Sequence, residues 1–379
     1  MASSTHTHQI LPQNLHGGGS TSAPPPTPST TTTNNNHLST STAADALSRL
    51  LHRLPPNLSL PTIRRSSPTT TSPPSLSFSS LTPEKLISSI SQLGFIQLTD
   101  HSVSSKLANL AESESLKLFN LSHDQKESFF PQNWPFGYEG DNDNDEEKLV
   151  ESFRFQFDSL CSTESNQIKL ESLSEFACAL EKLGLNIIDV LMNGLGVENP
   201  VGDDSNRFSS IMWVSECLPG NKPGSMGGFY PFIVGLQYQI RCQKYSLLSD
   251  SGGWVSVLPH VDSILVTVGD VAQVWSNGKL KKVRGRPIMA ALGDENDSSC
   301  ITMSLLITLP LESNVAPLLP IGNKNKVEDD IDNDEEENNI GGEGQKRVFN
   351  SIDFEDYAWR VYHERLLFKD PLDRYRITQ

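Results

Sequence analysis

The chain has 379 residues, 46 acidic against 30 basic side chains and a formal net charge of -16. That balance excludes nucleic acid or an anionic membrane surface as a default partner, since both need a basic face. No run approaches the roughly 18 consecutive apolar residues of a spanning helix, and Cys161, Cys178, Cys217, Cys242 and Cys300 are odd in number and form no C-x-x-C pair. Neither a disulfide framework nor a zinc ribbon is indicated, and a reducing compartment, cytoplasm or nucleus, fits best.

Residues 1–82 are rich in Ser, Thr, Pro and Asn, with Asp45 as the only acid and Arg49, Arg53, Arg64 and Arg65 as the arginines. So little apolar surface does not offset the entropy of ordering, which predicts a disordered segment. A plastid transit peptide is the alternative reading of the same acid-poor composition. Order is expected from Leu81-Thr82-Pro83-Glu84, a cap, a first-turn proline and an acid at the positive end of a helix. Leu86, Ile90 and Leu93 continue it, Gly94 ends it, and Phe95 to Leu98 reads as a strand. A second helix starts near Ser104, followed by a joining loop around His123 and an acidic loop, WPFGYEGDNDNDEE.

The longest helical pattern runs from Ile168 to Leu195, with Leu173, Phe176, Leu180, Leu183, Ile187 and Leu191 on one stripe. After Asn206 the period becomes two. Strands are predicted at Ile211–Val214, Phe232–Ile240, Trp254–Val257, Ile264–Val268, Gln273–Trp275 and Ile301–Leu309, with Asn277-Gly278 as a hairpin signal. Residues 321–347 hold eight acids between Glu328 and Glu337 and read as a solvated, disordered insert. Its Asp repeats lack the spacing of a calcium loop. A closing helix is expected over Phe354–Leu367. Helices followed by strands predict an α+β fold with a jelly-roll core, divided into helical residues 83–205, jelly-roll residues 206–320 and C-terminal residues 348–379.

His260-Val261-Asp262 has the spacing that sets an imidazole and a carboxylate on one metal. Around it, WVSV, VGDVAQVWSNGKLKKV, LISSISQLGFIQLTDHSV, LFNLSHDQKESF and LLFKDPLDRYRI resemble segments of the plant 2-oxoglutarate- and Fe(II)-dependent oxygenases. The resemblance spans Thr82 to Ile377 without the acidic insert, and implies a double-stranded β-helix (jelly roll) flanked by helices. In that family two histidines and one carboxylate hold ferrous iron, and an arginine in an R-x-S motif pairs 2-oxoglutarate.

Carried over residue by residue, the resemblance puts the His-x-Asp motif on Phe232-Ile233-Val234, the distal histidine on Gly285 before Arg286, and R-x-S on Thr302-Met303-Ser304. None of these supplies a ligand or a guanidinium. His260 and Asp262 lie where the family has an ordinary turn, and a relocated iron site built on them is the minor alternative. Of the other histidines in the ordered region, His101, His123 and His363, none is placed by the resemblance near the barrel mouth. The expectation is therefore a non-catalytic oxygenase-like protein with a binding or regulatory role and no cofactor. Phe232, Val234, Gly285, Thr302 and Ser304 would outline a vestigial pocket for a small apolar metabolite, with a protein partner as the other candidate. The competing expectation is an active dioxygenase using Fe(II) and 2-oxoglutarate on a small plant metabolite or hormone.

Overall fold

A computed structural model of the protein describes residues 70–140, 151–156, 168–198, 208–217, 229–289, 300–319, 347–364 and 370–377, all within the compact unit 65–379. The stretch 1–69, the acidic tips at 141–150 and 320–346, and the Gly-rich 224–228 lie outside the described residues. The expected boundary at residue 82 is corrected. Strands β1 (Thr70–Thr71) and β2 (Ser75–Ser77) precede it, ordered by backbone pairing that side-chain composition does not announce.

Helix α1 (Pro83–Ile90) begins as its capping signals require: the Thr82 hydroxyl accepts from the Lys85 amide at 3.4 Å, and Leu86 and Ile90 turn inward. Gly94, at φ +77°, then admits the chain against the Lys281 carbonyl, which a Cβ there would meet at 2.7 Å. Strand β3 (Phe95–Thr99) and helix α2 (Ser105–Phe119) follow. The expected loop at His123 is instead helix α3 (His123–Phe129), started by a reciprocal capping box between Ser122 and Gln125. Two strands that the sequence pattern did not mark, β4 (Gly137–Glu139) and β5 (Ser152–Gln156), come next. Helix α4 (Glu171–Leu195) buries its predicted stripe, and Gly184 lets it approach the sheet so closely that a Cβ would meet Leu236 Cδ1 at 2.8 Å and Ile307 nearer still.

The remaining strands are β6 (Ser209–Cys217), β7 (Val234–Tyr238), β8 (Tyr245–Ser249), β9 (Trp254–Val257), β10 (Ile264–Val268), β11 (Val283–Met289), β12 (Cys300–Thr308), β13 (Asn314–Val315) and β14 (Ile352–Asp353). They form an eight-stranded sheet in the order β2-β3-β10-β7-β12-β6-β5-β4, a four-stranded sheet β1-β9-β8-β11, and the small pair β13-β14. Between β10 and β11, the expected strand Gln273–Trp275 is corrected to helix α5 (Asp270–Trp275). All six of its residues are buried, and a short apolar run buried all round carries no period by which helix and strand could be told apart. Asn277 and Gly278 do take the left-handed pair of conformations their sequence predicts (φ 49° and 82°), but the turn joins α5 to β11 and not two strands. Helix α6 (Phe354–Glu364) closes the described core.

Register assigns the faces. Leu265 packs between the sheets with Phe95, Tyr245, Leu247, Val257 and Val283, so its face of the large sheet is the inner one. Leu236 and Ile307, which meet Gly184, define the outer face under α4.

Candidate functional site

Cross-strand partners share a face. Leu265 is opposite Gln97 and Gln237, Gln237 is opposite Ser304, Ser304 opposite Trp213, and Trp213 opposite Arg154. This row crosses the inner side of the barrel. A second row, Thr302, Ser215 and Ser152, runs beside it. The interior near β12 is thus polar, whereas the region between β3 and the small sheet is filled with apolar side chains.

The residues expected to mark a vestigial site do not all converge. Thr302 and Ser304 point inward, and the Ser304 hydroxyl donates to Gln237 Oε1 at 3.2 Å. Val234 does not, since it pairs with Val268 and Ile307 on the outer face beneath α4. A strand's period of two fixes that outcome once Gln237 faces in. Phe232 is fully buried and packs its ring against the Cα atoms of Gly235 and Gly269 at the end of the barrel. Gly285 faces neither Phe232 nor Val234. It takes φ +72°, and a Cβ on it would run into the ring of Phe229. The residue that meets Gly285 is therefore Phe229, three residues before the position inferred from sequence spacing.

His260 and Asp262 belong to a turn held by hydrogen bonds. The His260 amide donates to Gln97 Oε1 at 2.9 Å, the Tyr238 hydroxyl donates to Asp262 Oδ1 at 3.0 Å, and Asp262 adopts φ 59°. The structure brings His101 to this turn, which the resemblance did not indicate: its Nε2 lies 2.9 Å from the Asp262 carbonyl oxygen, not its carboxylate. Burial lowers the His101 pKa against the opposing pull of Asp262 and Asp100, which favours the neutral ring as donor to that carbonyl. Among the described residues no three His, Cys, Asp or Glu side chains are grouped to hold a metal ion.

Sequence reasoning missed the most unusual side chain of the interior, Arg154 on β5. It is 2% exposed, and its guanidinium lies over the rings of Tyr362 (4.8 Å) and Trp213 (5.3 Å). Trp134 adds a further wall, 6.3 Å from both Tyr230 and Tyr362. Glu139 on β4 approaches Arg154 Nη1 at 3.4 Å while accepting from the Tyr362 hydroxyl at 2.7 Å. Burial pushes Tyr362 up to about 12, so it stays protonated and a donor throughout the neutral range. The signal was present in the alternation Ser-Phe-Arg-Phe-Gln, which sends Phe153 and Phe155 to one side and Arg154 to the other. Near this group lies a cavity of about 480 Å³ lined by Gln156, Tyr230, Phe136, Leu185, Glu181 and Glu312, among others. It opens beside the barrel and not at Gly285, and Tyr230 and Gln156 connect it to Arg154.

A double-sheet barrel with flanking helices and an inward-facing mouth defines the class as a jelly-roll oxygenase fold. Residues 64–173 match a family described as the N-terminal region of non-haem dioxygenases in morphine synthesis. Gibberellin 2-beta-dioxygenase 1 of Pisum sativum is 26% identical over 257 residues, covering 62% of this chain and 75% of that protein. Its namesake in Arabidopsis thaliana is 24% identical over 309 residues, covering 74% and 85%. Among solved structures, JOX2 in complex with 2OG, Fe and JA superposes with a TM-score of 0.62 at 15% identity, covering 82% of this chain and 91% of that one. The dioxygenase for auxin oxidation in rice gives 0.57 at 18% identity, covering 80% and 99%. These matches support a place in the 2-oxoglutarate/Fe(II) oxygenase superfamily, whose fold the chain shares.

These relatives correct the expectation that no cofactor is involved. Three of the named proteins are dioxygenases by name and JOX2 was solved with 2OG and Fe, so Fe(II) and 2-oxoglutarate are the groups these relatives point to. The fit of the described residues is a separate matter. Phe229, Gly285, Phe232 and Val234 offer iron no donor atom, and Thr302 cannot make the two-pronged bond of an arginine. The described donor set does not fit the metal, and no reaction step is derived through it.

Proposed function

We propose that this chain is a non-catalytic member of the oxygenase fold that works by binding a small metabolite in and beside its barrel. The observation that carries the reading is Gly285: where the resemblance puts the distal histidine there is no side chain, and the direction a Cβ would take is filled by Phe229. Refilling that position with a ligand would require the phenyl ring to leave. The 480 Å³ cavity is of a size that takes a small molecule, and Tyr230 and Gln156 in its lining lie toward Arg154. A protein partner that recognises the loaded form is the accompanying regulatory role. The odd number of cysteines without a C-x-x-C pair supports a reducing compartment, cytoplasm or nucleus; among the described residues no helix is long and apolar enough to cross a membrane.

The test is turnover. Full-length protein supplied with Fe(II), ascorbate, oxygen and 2-oxoglutarate should release no succinate above the protein-free control, alone or with a panel of small organic acids. Stoichiometric or repeated succinate release, abolished in a His260→Ala or His101→Ala variant, would establish the competing reading of an active dioxygenase with relocated ligands.

A further inference from the structure

The interior of the barrel holds a cation whose hydrogen bonds lead nowhere. Arg154 carries five N–H donors, and none of Nε, Nη1 and Nη2 has an acceptor in good hydrogen-bond geometry among the described residues; the Tyr362 hydroxyl and Glu139 are the polar groups beside it. Buried guanidinium groups are ordinarily saturated, because each unpaired donor costs the full loss of its hydration. Glu139 balances the charge but reaches only the Nη1 corner, at 3.4 Å and outside good hydrogen-bond geometry. The Nε–Nη2 edge, the one that forms two parallel bonds to a carboxylate, is left open. Neighbouring inward atoms share this condition: Ser215 Oγ and Thr302 Oγ1, paired across β6 and β12, and Gln237 Nε2 are also buried without a partner among the described residues. An apolar core filled by its own side chains has no use for such a set.

We propose that Arg154 is the anchor of a binding site for the carboxylate of a small organic acid, with Trp213 and Tyr362 clasping the guanidinium and the adjoining cavity receiving the body of the ligand. Aromatic rings on its faces hold the guanidinium plane while leaving its edges to the ligand. The cavity meets this anchor through two residues. Gln156 lies two positions along β5 on the same face, and the Tyr230 ring forms a wall of the cavity while feeling the charge of Arg154. The position is distinct from the one the family resemblance gives to an arginine, since Arg154 stands two strands away from Thr302 in the order β12-β6-β5. The assignment rests on the reading of the barrel as a binding site and makes its ligand class specific.

Isothermal titration of the full chain with phenylacetate and, separately, with 2-oxoglutarate tests it. One equivalent of acid should bind, at least tenfold more weakly in Arg154→Lys, which keeps the charge and loses the fork, and more tightly in Glu139→Gln, which removes the competing carboxylate. A purely structural Arg154–Glu139 pair predicts the opposite for Glu139→Gln, namely no gain in binding. Preference for phenylacetate identifies an aryl acid as the ligand type, and preference for 2-oxoglutarate a dicarboxylate. Binding of neither acid to the wild type, or equal binding by wild type and Arg154→Lys, overturns the assignment. Arg154-dependent binding together with succinate release would instead overturn the non-catalytic reading and leave Arg154 in place. Circular dichroism of Arg154→Lys and Glu139→Gln, unchanged from wild type, shows that the affinities refer to folded protein.

Discussion

Replacing Lys282 by Met should cost this fold more than almost any surface change. Lys282 has a side chain only 1% exposed and contacts the carboxylates of both Asp270, on α5, and Asp370, the latter at 2.8 Å. The Tyr357 hydroxyl donates to the same Asp270 oxygen at 2.8 Å, the Leu372 amide donates to Asp370 at 3.0 Å, and Arg284 lies 3.5 Å from Asp370. The lysine thus ties α5, α6 and the C-terminal tail to one point. Methionine preserves the stem and removes the cation, leaving two buried carboxylates with Arg284 as the remaining cation in that contact. Breaking a buried ion pair costs roughly 3 to 5 kcal/mol, and with two carboxylates sharing one cation the upper half of that range applies. Urea denaturation followed by tryptophan fluorescence should show this loss at an unchanged m-value. A loss below about 1 kcal/mol, typical of exposed pairs, would refute the reasoning. The effect should also depend on pH. Burial pushes Asp370 up, but the charge and hydrogen bond of Lys282, with Arg284 and the Leu372 amide, together hold it below its ordinary value. A carboxyl depressed by folding contributes stability that is complete above its unfolded pKa and is lost as pH falls through the folded one. The wild-type advantage should therefore persist at neutral pH and shrink below about pH 4.

Two further outcomes follow from the same structure. Gly285→Ala should lower stability by about 1 to 3 kcal/mol, from the left-handed backbone and the collision with Phe229, and the loss should be smaller when measured in a Phe229→Ala background; additive losses in the double variant would show that the two do not touch. His101, whose pKa burial lowers, should make the fold less stable as pH drops from 7.5 to 5, because the unfolded chain takes up the proton more readily. Thermal midpoints across that range should be flatter in His101→Gln, and an unchanged slope would exclude His101 as a source.

Much of the scaffold was legible because its elements are governed by local rules. The Thr82-Pro83-Glu84 start, the stripe of α4, the strands Trp254–Val257 and Ile264–Val268 and the left-handed Asn277-Gly278 pair follow from capping, periodicity and turn chemistry. Helix α5 was misread because complete burial erases periodicity. Strand β5 was overlooked because it is five residues long beside an acidic loop, although its alternation was visible. The candidate site fared less well. Counting along the chain put Phe232 and Val234 at the old ligand positions, but one strand residue of error reverses the face, and Val234 turned out to lie under α4.

By itself, then, the sequence of this protein determined the jelly-roll fold class and the turn character of His260 and Asp262, since each depends on residue type and local spacing. Only tertiary structure decided that Phe229 fills the space beside Gly285, that His101 joins the Asp262 turn, and that Arg154, Trp213, Tyr362 and Tyr230 meet around one guanidinium. Those contacts join residues separated by tens to hundreds of positions, and they are set by sheet order and register, which bring distant strands side by side and leave no trace in the spacing of residues along the chain.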